Sequence, residues 1–284
     1  MECKIFDGKN LSTKIQNEVG SEIEKLRERY RVIPKTSVIL VGNDPSSELY
    51  TKIKQSVCKK AGIECNIIRL CETTAESELT EHIKQLNSKK DVHGILVQLP
   101  LPKHIPVDKI ARAITPEKDI DGFNPINLGN VLIGNEDLAP CTPKGIVKIL
   151  ESESIKLEGK NIVIVNRSNI IGKPLSIMLL KRNATVIVCH SKTKNISEFT
   201  KNADIVIVGV GKPEFLKSDM IKDGAVVIDI GANDVGGGRI CGDVDFKNVK
   251  EKTSLITPVP GGVGPMTVAS LLQNILYCYK SNSI

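Results

Sequence analysis

Arg167, Ser191 and Lys192 each follow an apolar, β-branched run, and together they have the chemistry of a phosphate site. Arg167 comes after Asn161–Asn166, and Ser191 and Lys192 come after Ala184–Cys189. A guanidinium grips phosphate through a two-pronged fork. The turn Asn166–Gly172 leads into a helical pattern, so strand, Gly-containing turn and helix form the opening unit of a dinucleotide-binding fold. There the helix N-terminus and its free amides hold phosphate. An acid after the second strand would accept a free ribose 2′-hydroxyl. This chain has none in Cys189-His190-Ser191-Lys192-Thr193, which favours NADP over NAD. G-x-G-x-x-G is absent, so the turn alone leaves a nucleotide site and an ordinary strand–helix turn both open.

Tyr50 and Lys54 stand four residues apart on an expected helix, hence on one face. Surface placement is the default for such a pair, and three features shift it. Gly42-Asn43-Asp44-Pro45-Ser46 is a strand-to-helix turn at the carboxyl end of a strand, where α/β proteins bind ligands. Gln98 and Pro100 close another strand, in Val97-Gln98-Leu99-Pro100. Asp121 lies in an irregular, ligand-accessible segment, Lys118–Phe123. Asp119 and Asp121 have no further ligands at metal-binding spacing, so no metal is expected. His190 has no acid or nucleophile partner in a recognisable pattern and reads as structural or cofactor-adjacent.

The elements that must position these groups alternate. Expected strands are Ser37–Val41, Cys65–Leu70, Gly94–Leu99, Asn161–Asn166, Ala184–Cys189, Asp204–Gly209, Ala225–Ile230 and Ser254–Thr257. Between them, helical spacing covers Leu11–Arg31, Ser46–Ala61, Glu76–Lys89, Lys144–Glu153, Lys173–Lys181 and Leu216–Ile221. Continuous apolar strands interleaved with helices mean an α/β architecture with parallel sheets. Asp121–Gly134 reads as irregular. Thr142 can cap the following helix and Pro143 suits its first turn. The domains are therefore 1–142 and 143–265. A last helix, Met266–Lys280, is expected to return with 266–284 to the first domain.

With 284 residues, two domains fit. At 40% hydrophobic and 25% charged, the composition excludes disordered and low-complexity classes. No apolar run could span a bilayer, and Met-Glu-Cys-Lys lacks a signal-peptide pattern, so a cytoplasmic, non-membrane protein is expected. The eight cysteines contain no C-x-x-C and read as reduced thiols. No Trp and 3% aromatics argue against a single-stranded nucleic-acid platform. The net charge of +6 lies wholly in residues 143–284, which hold 19 basic and 13 acidic groups. Residues 160–201 alone carry eight basic groups against Glu198.

The motifs VGNDPSSELYTKIK (41–54), GILVQLPLP (94–102), PEKDIDGFNPINLG (116–129), PCTPKG (140–145), NRSNIIGKP (166–174), CHSKT (189–193), VIDIGAN (227–233), GDVDF (242–246) and TPVPGGVGPMT (257–267) run nearly end to end. In this order they resemble the bifunctional methylenetetrahydrofolate dehydrogenase/cyclohydrolase family. Asn166 departs from the family's usual Gly, and Asn tolerates positive φ next best. Asn124 replaces a common His.

The resemblance implies an N-terminal folate-binding catalytic domain, a C-terminal Rossmann-type NADP-binding domain and a cleft between them. It implies oxidation of 5,10-methylenetetrahydrofolate with NADP, then hydrolysis to 10-formyltetrahydrofolate, a one-carbon donor for purine biosynthesis. Substrates would be tetrahydrofolate derivatives, polyglutamylated ones among them, and the assembly a homodimer. Lys54 would move protons, Gln98 orient it or the water, Tyr50 stack on the folate, and Asp121 accept from the pterin amino edge. Val97, Leu99, Pro260, Gly261 and Gly262 would complete the substrate site, the glycines letting backbone approach closely. Asn166, Arg167, Ser168, Ile171, Gly172, His190, Ser191, Lys192, Thr193, Val210, Gly211, Ile230, Gly231 and Asn233 would line the cofactor. A dehydrogenase without the second activity and a non-catalytic nucleotide binder are the weaker readings, since Tyr50, Lys54 and Gln98 all stand in place.

Overall fold

Each β-branched run is followed by enough chain to cross back over a sheet, so the strands pair in parallel. A computed structural model describes residues 3–283. In chain order the elements are β1 (Lys4–Ile5), α1 (Gly8–Tyr30), β2 (Lys35–Val41), α2 (Pro45–Lys60), β3 (Glu64–Leu70), α3 (Glu76–Ser88), β4 (Gly94–Val97), α4 (Val107–Ala113), α5 (Pro125–Leu132) and α6 (Cys141–Ser152). Then follow β5 (Asn161–Val165), α7 (Gly172–Leu180), β6 (Thr185–Cys189), α8 (Ile196–Thr200), β7 (Ile205–Val208), β8 (Ala225–Asp229), β9 (Asn233–Asp234), β10 (Ile240–Cys241), α9 (Phe246–Val249), β11 (Thr253–Ile256) and α10 (Val263–Ser283). Among the described residues, no helix is long and apolar enough to cross a membrane.

The chain divides into two compact units. One comprises Met1–Ser12, Val131–Glu136 and Thr142–Thr267; the other comprises Thr13–Asn130, Asp137–Cys141 and Val268–Ile284. Besides the changes of unit at 141/142 and 267/268, close to the expected ones, the chain also changes unit at 12/13, 130/131 and 136/137.

The first unit holds a six-stranded parallel sheet in the order β1-β11-β8-β7-β5-β6. β5 has β6 on one side and β7 on the other, so the chain reverses direction across it. The loops after β5 and β7 form the topological switch point where such sheets bind ligands. β7 and β8 are buried throughout and β5 along all but its first residue. That is why they read as unbroken apolar runs, whereas edge strand β6 is half-buried.

The second unit holds the parallel sheet β3-β2-β4. Ile39, Val41, Ile95 and Val97 pack beneath Leu79, Ile83 and Leu86 of α3 and Ile110 of α4. α10 completes this unit. The Tyr279 hydroxyl donates to the Val32 carbonyl at 2.7 Å, and Asn274 Nδ2 donates to the Ile120 and Ala139 carbonyls at 3.0 Å.

Several local expectations are corrected. Leu216–Ile221 is not an α-helix and contains only a 3-10 turn, Ser218–Met220. Leu216 is held extended by pairing with Val244, its amide donating to the Asp243 carbonyl and its own carbonyl accepting from Asp245. The supposedly irregular 121–134 contains α5, which starts at Pro125, with the Asn124 side chain accepting from the Ile126 amide. α6 begins at Cys141, so Thr142 does not cap it; its hydroxyl shares a 3.1 Å hydrogen bond with Thr267. α10 begins three residues earlier than expected, with Pro265 in its first turn.

Candidate active site

The turn before α2 sets the first group of side chains. Asp44 caps the helix, its carboxylate accepting from the Ser47 amide and hydroxyl at 2.7 Å each, and Pro45 occupies the first turn. Lys54 Nζ donates to Gln98 Oε1 at 3.0 Å, while Gln98 Nε2 donates to the Leu99 carbonyl at 2.7 Å. Gln98 is buried just beyond β4, so both ends of its amide are fixed and the ammonium is held in turn. Tyr50, one helical turn before Lys54, is 43% exposed and can offer a ring face to a flat ligand.

Asp121 joins this group from a well-anchored loop. Lys118 Nζ donates to the carbonyls of Leu86, Asn87 and Lys89 at the C-terminal end of α3, a favourable place for a cation. Desolvation pulls its pKa down. The buried Asp119 carboxylate accepts from the Gly122 and Asn124 amides and from Asn127 Nδ2. Burial still pushes its pKa up to about 6. Asn124 donates to the Ala111 and Ile114 carbonyls, so this departure from the family residue serves the loop itself. Burial raises the Asp121 pKa and the Lys54 charge opposes that rise. Among the described residues no donor hydrogen-bonds the Asp121 carboxylate, which lines a small apolar pocket with Val97, Leu99 and Phe123. Leu101, Val107 and Ile110 also line it. Val107 and Ile110 were missed because α4 carries only seven residues and its apolar face was too short to read; Leu101 and Phe123 lie outside α4, in loops with no periodic pattern. Among the described residues no cluster suits a metal.

The expected cofactor residues all follow carboxyl ends of strands in the six-stranded sheet: 166–172 after β5, 190–193 after β6, 210–211 after β7 and 230–233 after β8. Arg167 Nη2 lies 3.5 Å from Ser191 Oγ, with the exposed Lys192 next to it and no acid among these loop residues. This donor set fits the phosphates of NADP.

The turn itself works differently from expectation. Asn166 does not adopt positive φ. Its Oδ1 accepts from the Ser168 amide, the Ser168 hydroxyl and the Gly172 amide, and its Nδ2 donates to the Gly209 carbonyl at 2.6 Å. Ser168 Oγ takes the Ile171 amide. The opening amides of α7 are thus spent within the turn, and phosphate affinity falls to the side chains instead. Gly172 is required there, because a Cβ would lie 2.0 Å from the Asn166 carbonyl. His190 closes its own turn, Nδ1 accepting from the Lys192 amide and its backbone amide donating to Thr193 Oγ1.

Two aspartates hold the remaining loops. The Asp243 carboxylate accepts from the amides of Val210, Gly211 and Lys212 and from Asn233 Nδ2. Asp229 accepts from the Gly231, Asp243 and Val244 amides, and burial raises its pKa to about 6. Val210, Gly211 and Asn233 therefore present surface rather than free donors. Both aspartates sit in motifs read from the sequence, without an assigned role. Gly262 is required by the chain itself: its Cβ would fall 2.6 Å from the Pro258 carbonyl.

Residues 6–121 match the catalytic domain, and residues 140–283 the NAD(P)-binding domain, of tetrahydrofolate dehydrogenase/cyclohydrolase. The bifunctional protein FolD of Acetivibrio thermocellus is 49% identical over 280 residues, covering 99% of this chain and 98% of its own. The crystal structure of the bifunctional FolD methylenetetrahydrofolate dehydrogenase/cyclohydrolase of Campylobacter jejuni superposes with a TM-score of 0.96 at 47% identity, covering 98% of this chain and 99% of that one. A Trypanosoma brucei methylenetetrahydrofolate dehydrogenase-cyclohydrolase, solved with NADP and an inhibitor, gives 0.95 at 34% identity over 99% of this chain and 98% of that one.

Proposed function

The chain belongs to the tetrahydrofolate dehydrogenase/cyclohydrolase family, and from that premise we propose how its residues divide two consecutive reactions. It is an NADP-dependent methylenetetrahydrofolate dehydrogenase and methenyltetrahydrofolate cyclohydrolase. When bound, NADP supplies the hydride acceptor for the bridging carbon of the folate. A neighbouring nitrogen lone pair stabilises the cation that develops, so the protein's task in this step is positioning. In the second reaction water adds to that carbon and the ring opens to 10-formyltetrahydrofolate, which requires proton transfers.

Lys54 carries those protons in our reading. The observation behind it is the 3.0 Å hydrogen bond from Lys54 Nζ to a Gln98 amide that is itself fixed. Tyr50 stacks on the folate, and the unpaired Asp121 carboxylate accepts from the pterin amino edge. The decisive experiment follows methenyltetrahydrofolate formation and its hydrolysis by absorbance in wild type and Lys54→Met.

Preference for NADP over NAD rests on Arg167 and Ser191. Charge-assisted hydrogen bonds contribute about 1.5–3 kcal/mol, so Arg167→Ala lowers kcat/KM for NADP about 10- to 100-fold. The value for NAD moves far less. Equal losses with both cofactors would overturn the assignment. We also propose a cytoplasmic homodimer. The family resemblance supports the dimer, and eight free thiols suit a reducing compartment. A solution mass equal to the chain's 31.0 kDa, or recovery outside the cytoplasm, argues against it.

A further inference from the structure

The chain on both sides of Asp121 is clamped, while the Asp121 carboxylate has no hydrogen-bond donor among the described residues. Asp119 pairs with Ile95 of edge strand β4. Asp119–Gly122 is a turn in which the Gly122 amide donates to the Asp119 carbonyl at 3.3 Å and to its Oδ1 at 3.1 Å. The other carboxylate oxygen, Oδ2, accepts from the Asn124 amide at 2.7 Å and from Asn127 Nδ2 at 3.0 Å. Within the turn, Ile120 is buried so closely against β4 that a Cβ on Gly94 would lie 2.5 Å from it. The Ile120 carbonyl accepts from Asn274 Nδ2 at 3.0 Å. Gly122 stands at φ +75°, where a Cβ would meet the Leu138 carbonyl at 2.5 Å. Asp121 is thus the third residue of a turn whose first, second and fourth residues are fixed.

This arrangement opposes what a free loop would do. Burial drives both carboxylates toward their neutral forms, and the Asp121 charge adds to that push on Asp119. A loop able to move would turn Asp121 out to water, where a charged oxygen regains its hydration. The donors on Asp119 offset that tendency, because an amide bond to an ionised carboxylate is a strong and directional tie. Substrate then meets an acceptor already in place, and none of its binding energy goes into ordering the loop. We infer that Asp119, with Asn124 and Asn127 as its donors, is a positioning residue for the folate reactions: it keeps Asp121 buried and open to the pterin amino edge before substrate arrives. Asp119 is 1% exposed and the loop takes both of its oxygens, so it acts through Asp121. The role rests on the reading of Asp121 given above.

The test is a double-mutant cycle on the full chain with Asp119→Asn, Asp121→Ala and both together. It reads kcat/KM for methylenetetrahydrofolate and, as a control, KM for NADP. Asparagine matches aspartate in shape but turns an NH2 toward donors, so the turn loosens. Asp119→Asn is expected to lower kcat/KM for the folate about 10- to 100-fold. KM for NADP stays within about twofold of wild type, because the NADP loops belong to the other compact unit. In the Asp121→Ala background the same change costs less than about twofold, since no carboxylate is left to position. Equal loss in both backgrounds overturns the inference, and so does a parallel rise in KM for NADP. If Asp119→Asn does not fold, Asn127→Leu removes one donor and leaves both amides, and the same cycle decides. Undiminished kcat/KM in Asp121→Ala refutes the reading of Asp121 and the positioning role with it. A damaged Asp121→Ala beside an intact Asp119→Asn refutes the positioning role alone.

Discussion

Lys54→Met lowers cyclohydrolase turnover by about 10²–10⁴-fold, the usual contribution of one positioned acid–base group. Methionine keeps the length and apolar stem of the side chain and removes only the ammonium. Gln98 loses its partner at 3.0 Å, and its Nε2 bond to the Leu99 carbonyl keeps the amide in place. Dehydrogenase activity survives in part, because hydride transfer needs orientation and no strong base. The two activities must therefore separate in this variant when methenyltetrahydrofolate formation and decay are followed in one cuvette. Equal loss of both would mean that Lys54 binds substrate without moving protons, and a normal hydrolysis rate would remove it from the mechanism.

Asp243→Ala is expected to cost about 3–5 kcal/mol of stability. Its buried carboxylate gathers the amides of Val210, Gly211 and Lys212 and the Asn233 side chain. An unmade bond to a buried donor costs about 1–3 kcal/mol, and partial access of water keeps the total below the sum. A fall in melting temperature of about 6–20 °C follows for a unit of this size. KM for NADP rises as well, since the loops after β7 and β8 lose their common anchor. A melting temperature within about 2 °C of wild type would show that the loops hold themselves.

Much of this was legible because it depends on local pattern. Unbroken β-branched runs named the strands, and spacing of four placed Tyr50 and Lys54 on one helix face. The basic groups around Arg167 and Ser191 stood near each other before their 3.5 Å approach was measured. What stayed hidden depends on partners far away in the chain. Asn166 was read as a residue tolerant of positive φ, yet its side chain does the work by reaching Gly209 and Gly172. Leu216–Ile221 has helical spacing, but its pairing with Val244 wins. Asp243 and Asp229 stand in motifs with no assigned role, and only the fold shows how many amides each one collects.

The place of α10 has a consequence for how the protein is made. Tyr279 and Asn274 are fully buried in the unit that contains Lys54, yet they are synthesised long after the rest of it. Between Cys141 and Val268 the ribosome adds the 126 residues Thr142–Thr267, which takes roughly 6–25 s at about 5–20 residues per second. During that interval the nascent catalytic unit exposes the apolar surface that α10 will cover. Every strand of the six-stranded sheet except β1 (Lys4–Ile5) is synthesised within the same interval, so the unit that contains Lys54 closes only after those strands have been made.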